Sequence, residues 1–313
     1  MSTAKAARIH QYGSNGVRVE DIALPEPQAG QVIVKAHAAG VNPMDWKIRA
    51  GYFQQMIPLS LPFTVGGDFS GTIESVGPGV VEFRPGDEVY GYAAVFTGGS
   101  GAFAGRILAP TASLASKPRS ASHNEAGALP LAGVSALQAL TEVLKISAGH
   151  KILIHGGGGG IGSIAIQIAK HLGTRVATTA STAKAPYVRT LGADEVIDYK
   201  HQNLGEALSG VDAVLDTVGG DTYTQSYQVV KSGGRLVSLL EQPRPELVNR
   251  FGIEASLQFT QVTSERLNRL AGLVDAGVVK VHIEQTFPLE KASTALQYLE
   301  KQAPQGKVIV TLG

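Results

Sequence analysis

A run of glycines between a strand-like and a helix-like segment constrains this chain more than any other feature. Lys151 to His155 reads as a short apolar strand, Gly156-Gly157-Gly158-Gly159-Gly160-Ile161-Gly162 follows, and Ser163 to Leu172 continues as a helix. Ile161, Ile164, Ala165, Ile168, Ala169 and Leu172 recur at helical spacing, so one face of that helix can be buried on a sheet. Such a junction requires glycine because the backbone turns sharply, a pyrophosphate approaches with no side chain in the way, and the helix packs closely on its sheet. Free N–H groups at the helix N-terminus then face the phosphates. In this context the run predicts a dinucleotide site, with Gly157, Gly159, Gly160 and Ile161 binding the cofactor, over a plain glycine-rich turn.

The 313 residues, 43% of them hydrophobic, suffice for two domains with separate cores. Twenty-seven Lys and Arg against 26 Asp and Glu leave no field to draw the chain to nucleic acid or a membrane surface, and neither partner is expected. With no cysteine there are neither disulfides nor thiolate metal ligands, which fits a reducing compartment. Met1-Ser2-Thr3-Ala4-Lys5 lacks the apolar core of a signal peptide, and no uncharged apolar run reaches about 18 residues. A cytoplasmic protein without a membrane span is expected.

Up to about Arg119 the chain is rich in short β-type runs broken by Gly and Pro: Val32 to Val41, Thr72 to Val76, Glu88 to Tyr92 and Ala104 to Leu108. These predict a compact antiparallel or barrel-like domain. From Ser122 longer helical patterns alternate with short apolar strands at Lys151 to His155, Arg175 to Thr179, Glu195 to Ile197, Ala213 to Leu215 and Arg235 to Leu240. That alternation predicts a doubly wound parallel sheet, so the fold class is α/β. A helix over Leu289 to Lys301 and a last strand over Lys307 to Leu312 close the chain, and that strand can rejoin either domain.

Several blocks in order carry a family resemblance: Gly40-Val41-Asn42-Pro43-Met44-Asp45-Trp46-Lys47-Ile48-Arg49-Ala50-Gly51, Gly67-Asp68-Phe69-Ser70-Gly71, Phe83-Arg84-Pro85-Gly86-Asp87-Glu88-Val89, Ala128-Leu129-Pro130-Leu131-Ala132-Gly133-Val134-Ser135-Ala136, the glycine loop, Leu191-Gly192-Ala193-Asp194 and Gly306-Lys307-Val308-Ile309-Val310. Over nearly its whole length the chain resembles the zinc-independent quinone oxidoreductase and enone reductase branch of the medium-chain dehydrogenase/reductase superfamily. The resemblance implies a GroES-like catalytic domain over residues 1–122, a Rossmann NADPH-binding domain over 123–283, and a C-terminal segment, 284–313, returning to the first domain. It also implies a homodimer paired through the edge of the Rossmann sheet. Leu236 to Leu240, followed by Glu241-Gln242-Pro243, fits such an edge or an ordinary internal strand.

A zinc site needs three or four converging ligands. Where zinc-binding relatives place a first cysteine this chain reads Val41-Asn42-Pro43, and where they place Gly-His-Glu it reads Gly66-Gly67-Asp68. Thr97-Gly98-Gly99-Ser100-Gly101 stands in place of their four-cysteine lobe, and no two of the eight histidines sit at ligand spacing. No metal is expected, and His155, ending a buried strand, reads as a core or loop residue. Without a Lewis acid, reduction of an already electrophilic acceptor is favoured over oxidation of an alcohol.

The stretch after the second Rossmann strand, Val176-Ala177-Thr178-Thr179-Ala180-Ser181-Thr182-Ala183-Lys184, holds no acid to bind a ribose 2′-hydroxyl. Ser181 and Lys184, with Tyr199 after the next strand, can instead bind a 2′-phosphate, and quinone reductases use matching positions for NADPH. By resemblance Ser135, Thr217, Val218, Leu239, Leu240 and Lys307 also line the cofactor. The expected chemistry is hydride transfer to a quinone or an α,β-unsaturated carbonyl, driven by positioning and by donors aimed at the developing oxyanion. Asn42, Asp45, Lys47 and Tyr52 are the catalytic candidates. Asp45 has a competing role in holding its loop. Lys47, in Asp45-Trp46-Lys47, is similar to plant-type enone reductases and can stabilise an enolate or relay a proton, or stand as a surface lysine. Tyr52 and Phe53 can wall a flat acceptor, while Trp46, the single tryptophan, reads as a packing residue. Two alternatives stay open: an enone or alkenal reductase with little quinone activity, and a crystallin-like protein that binds NADPH without catalysis.

Overall fold

A computed structural model describes residues 3–13, 16–56 and 58–312. Met1 and Ser2, which open the N-terminal segment read above, lie outside these residues. The chain forms two compact units: Met1–Leu131 with Val262–Gly277 and Val281–Gly313, and Ala132–Gln261 with Val278–Lys280.

In the first unit, β1 (Thr3–Ile9), β2 (Val17–Ala23) and β4 (Phe63–Thr64) make a small antiparallel sheet in the order β2-β1-β4. The larger sheet uses β3 (Gln31–Val41), β5 (Asp68–Val76), β6 (Glu88–Tyr92), β7 (Arg106–Pro110), β8 (Leu114–Ser116), β15 (Ile283–Pro288) and β16 (Lys307–Thr311). Its order is β15-β16-β3-β5-β6-β8, with β7 also paired to β3. Val32, Val34, Phe69, Phe103, Ile107 and Leu114 fill one core beneath these strands. Alternating inward residues explain why the β-rich reading held here. The strands β1 and β2 escaped it, and β2 has no fully buried residue to mark its face.

Helices α1 (Pro43–Ala50), α2 (His123–Gly127), α9 (Ser264–Asp275) and α10 (Ala292–Lys301) also belong to this unit. Pro43 opens α1, where its missing N–H costs nothing, and Gly51 ends it in a left-handed cap. On α10, Ala292, Ala295 and Leu296 are buried and join the same core. The last strand, left open by its sequence, pairs antiparallel with β3, Val308 opposite Val41 and Thr311 opposite Ala38.

In the second unit, β9 (Lys151–Ile154), β10 (Arg175–Ala180), β11 (Glu195–Asp198), β12 (Val211–Asp216), β13 (Val230–Ser238) and β14 (Glu254–Leu257) form one sheet. Every pairing is parallel and the order is β11-β10-β9-β12-β13-β14. The chain therefore reverses direction of travel across the sheet between β9 and β12, where doubly wound folds bind ligands. Between the strands run α4 (Gly160–His171), α5 (Ala185–Thr190), α6 (Leu204–Ala207), α7 (Gly220–Val229) and α8 (Pro245–Phe251), preceded by α3 (Pro130–Gln138).

One expectation differs from what the fold shows. The division at residues 122 and 283 is displaced, because residues 123–131 and 262–277 belong with the first unit. Tyr90 Oη donates to Leu267 O at 2.6 Å, Ser264 Oγ to Thr111 O at 2.8 Å, and Ser120 N to Asp275 Oδ1 at 2.9 Å, which tie α9 to the β-rich core. These bonds join residues 153 to 177 positions apart and leave no periodic trace. Of the two readings open for Leu236 to Leu240, the internal strand holds for its β13 part: β13 lies between β12 and β14, and Leu236, Val237 and Ser238 are buried.

Candidate functional site

The glycine loop leaves β9 and enters α4 on a scaffold of hydrogen bonds from neighbouring strand ends. Gly157 N donates to Thr179 O at 3.0 Å, Gly156 N to Thr179 Oγ1 at 3.0 Å, and Thr217 Oγ1 to His155 O at 2.8 Å. Gly156 sits at φ +70°, and a Cβ on Gly162 would fall 2.3 Å from Gly156 O, so both positions exclude other residues. At Gly159 the nearest atom to an added Cβ is 3.4 Å away, which leaves the mouth of the loop open.

His155 organises this loop from beneath. It is fully buried, and burial lowers its pKa to about 4 although Asp216 opposes the shift. Ser226 Oγ donates to Thr222 O at 2.8 Å, so it accepts from His155 Nε2 at 2.9 Å. Nδ1 of the neutral ring then accepts from Thr179 Oγ1 at 3.2 Å, the same hydroxyl that receives the Gly156 amide. Its sequence reading as a core and loop residue agrees with this placement.

The strand-end residues expected to hold a cofactor gather in this unit. Ser181 follows β10 and starts the turn Thr182–Lys184, and the Lys184 side chain crosses the loop, 2.6 Å from where a Gly158 Cβ would stand. Tyr199, 58% exposed, follows β11. Thr217 and Val218 follow β12, where buried Asp216 accepts from Val218 N and Gly219 N, each at 3.0 Å, and from Ser238 Oγ at 2.6 Å. Leu239 and Leu240 follow β13, and Leu240 and Val218 stay about half exposed despite being apolar. Ser135 is buried on α3, its hydroxyl 2.7 Å from Thr260 Oγ1.

One acid escaped the sequence reading. Asp198, at the end of β11, pairs in register with Ala180 of β10 and so stands beside Ser181. It is already engaged by Thr182 Oγ1, by Lys200 N at 3.0 Å and by His201 Nδ1 at 3.0 Å, and these donors, Thr182 first, lower its pKa to about 2. These three donors already occupy most of its acceptor sites.

The remaining candidates form a separate polar cluster in the first unit. Lys307 Nζ donates to Asn42 Oδ1 at 2.6 Å and to Val41 O at 3.3 Å, and lies 3.8 Å from Asp68 Oδ2. Asn42 Nδ2 donates to Asp68 Oδ2 at 2.8 Å, and Leu131 N to Asp68 Oδ1 at 2.8 Å. Asp45 Oδ2 accepts from Asn42 N at 2.7 Å and caps the start of α1. All four side chains are at least 95% buried, so desolvation raises Asp45 to about 7 and Asp68 to about 6 and lowers Lys307. Lys307 is thus held by Asn42 and Asp68 within this unit. A narrow cavity touches Asp45 and is walled by Ile48, Leu59, Phe63, Val65 and Phe96.

Lys47 lies half-buried on α1, 5.8 Å from the Trp46 ring centroid, with no hydrogen bond or ion pair among the described residues. Tyr52 is 68% exposed and meets Trp46 edge to face at 5.8 Å. Trp46 and Phe53 both pack against the core of this unit, in line with the packing role read for Trp46. Among the described residues no three His, Asp or Glu side chains converge as metal ligands.

Two family models match the chain: the alcohol dehydrogenase GroES-like domain over residues 28–119 and the zinc-binding dehydrogenase model over residues 191–310. Mus musculus quinone oxidoreductase is 31% identical over 98% of this chain and 98% of its own length. The NADPH-dependent alkenal/one oxidoreductase of Arabidopsis thaliana chloroplasts is 34% identical over 93% of this chain and 74% of its own. The structure of Escherichia coli quinone oxidoreductase complexed with NADPH superposes with a TM-score of 0.89 at 28% identity, covering 98% of this chain and 100% of that one. With a GroES-like unit, a parallel sheet wound outward from the glycine loop, and relatives of this identity along the whole chain, the protein belongs to the quinone oxidoreductase branch of the medium-chain dehydrogenase/reductase superfamily.

Proposed function

We propose that the protein is a metal-independent, NADPH-dependent oxidoreductase that reduces quinones or α,β-unsaturated carbonyls. The observation that carries this reading is the set of strand ends β9, β10, β12 and β13 around one glycine loop, in a chain about a third identical to such reductases. The cradle fits the cofactor: the loop is open at Gly159, and α4 offers its unpaired N–H groups to a pyrophosphate. Ser181, Lys184 and Tyr199 hold the 2′-phosphate, while Asp198 is engaged by Thr182, Lys200 and His201. Val218 and Leu240 supply apolar surface to the nicotinamide side. Bound NADPH supplies a hydride.

On the acceptor, the electron pair ends on oxygen, as an enolate or a hydroquinone anion. The Lys47 ammonium, which lies over the Trp46 ring, stabilises that charge, and the exposed Tyr52 ring offers an apolar surface to the acceptor. Asn42, oriented at both ends by Lys307 and Asp68, and Asp45, capping α1, keep the Lys47 helix in place. No helix among the described residues is long and apolar enough to cross a membrane, and the reading assigns the protein to the cytoplasm as a homodimer joined at the free edge of β14.

Initial rates of NADPH and NADH oxidation, with para-quinones in one series and short enones or alkenals in the other, test this after treatment with a chelator. NADPH-dependent turnover of either series, unchanged by chelation, is the expected result. Tight NADPH binding without turnover of either would replace the reading with a non-catalytic one.

A further inference from the structure

Among the glycines between β9 and α4, Gly158 is the one that the backbone of the loop does not itself require. Gly156 needs glycine for its left-handed φ of +70°. A Cβ on Gly157 would overlap Thr178 Oγ1, and one on Gly162 would overlap Gly156 O. Gly158 has no left-handed φ, and the three atoms nearest to an added Cβ all belong to one side chain: Lys184 Cδ at 2.6 Å, Cβ at 3.3 Å and Cγ at 3.5 Å. The Lys184 stem therefore occupies the place of a side chain at 158, and Gly158 is buried.

Both sides of that contact are fixed. Lys184 N donates to Ser181 O at 2.9 Å and closes the turn Thr182–Lys184 after β10, and Thr182 Oγ1 donates to Asp198. Gly157 N donates to Thr179 O and Gly159 N to Gly156 O, each at 3.0 Å, which hold the loop on either side of Gly158. A lysine anchored at its backbone and packed along its stem has already lost much of the rotamer freedom that a solvated lysine loses on binding an anion. That preorganisation favours a ligand at the end of the second strand, where doubly wound folds bind the ribose.

We propose that Gly158 is a positioning residue for cofactor choice: having no side chain, it lets the Lys184 stem lie along the glycine loop and so sets the preference for NADPH over NADH. The assignment rests on the reading of Lys184 as a ligand of the 2′-phosphate and adds the residue on which the placement of that ligand depends. A methyl at 158 pushes the stem off the loop. Gly159 and the first turn of α4, which serve the pyrophosphate common to both nucleotides, keep their places.

NADPH and NADH, titrated in parallel into the wild type, Gly158→Ala, Lys184→Ala and the double variant, test this by the fluorescence of the reduced nicotinamide, with no turnover needed. In Gly158→Ala the affinity for NADPH falls about 3- to 10-fold, part of one charge-assisted contact, while NADH affinity and Tm stay close to wild type. In the Lys184→Ala background Gly158→Ala has no further effect, because the side chain it displaces is gone. A preference for NADPH that Lys184→Ala abolishes and Gly158→Ala leaves intact overturns this proposal alone. So does a loss of NADPH affinity, NADH affinity or Tm that recurs in full in the Lys184→Ala background, since the loop itself would then need the glycine. Equal affinity of the wild type for the two nucleotides, or a preference that Lys184→Ala leaves intact, ends the 2′-phosphate reading of Lys184 and this proposal with it.

Discussion

At the scale of single residues, the buried polar cluster of the first unit makes the sharpest predictions. Burial carries the Asp45 carboxyl up to about 7 from an ordinary 3.8, with the Asp68 charge adding to the rise and the Asn42 amide and Lys307 opposing it. Between those two values the native chain keeps a proton that the unfolded chain has released, so this group lowers stability as pH rises through the window. Asp45→Asn keeps an oxygen for the Asn42 amide and removes the titration. Its unfolding free energy in urea should fall less steeply from pH 4 to pH 8, by on the order of 1–4 kcal/mol across that range. A slope equal to that of the wild type would show that Asp45 does not titrate in this window. For Lys47, which makes no ion pair among the described residues, Lys47→Met should lower kcat about 10- to 100-fold with little change in NADPH affinity; full turnover by this variant ends its catalytic role. Lys184, its stem lying over the loop, belongs with the cofactor. Lys184→Ala should weaken NADPH about 10-fold or more and leave NADH nearly unchanged, because one charge-assisted contact to the 2′-phosphate is lost. Side by side titrations of the two nucleotides check this.

At the scale of elements, the strand–loop–helix unit β9 to α4 behaves as one rigid piece. The chain of bonds from the Gly156 amide through Thr179 and His155 to Ser226 ties the loop to β10 and α7. Gly162→Ala places a methyl 2.3 Å from Gly156 O, so either α4 or the loop must shift. We expect a loss of about 1–3 kcal/mol in stability, measured by thermal or urea unfolding, together with weakened NADPH binding. Retained affinity would mean the loop does not contact the pyrophosphate. Much of this unit was legible beforehand. The apolar spacing from Ile161 to Leu172 and the glycines between Lys151 and Ser163 specify strand, turn and helix from local rules, and α4 starts within three residues of where that pattern predicts. Asp198 was not legible as a neighbour of Ser181, because it lies 17 positions further along the chain and only the parallel register of β10 with β11 brings it there.

At the scale of the whole molecule, β14 has no strand on its outer side among the described residues, and an open parallel-sheet edge is a ready pairing surface. Light scattering should find a dimer, and a mass of one chain at micromolar concentration would remove that part of the reading. The sequence by itself determined the α/β class, the winding of strands and helices after Ser122, and the place of the dinucleotide loop. These follow from periodicity and from backbone conformations that glycine alone tolerates, which are written in neighbouring residues. Only the tertiary structure decided that α9 belongs with the β-rich unit, that β16 pairs with β3, and that Lys307 meets Asn42 and Asp68. It alone set the Tyr92 ring in the space beside Gly67. These are contacts between residues 25 to 273 positions apart, chosen by shape and by the need to pair buried charge, and no local pattern records them.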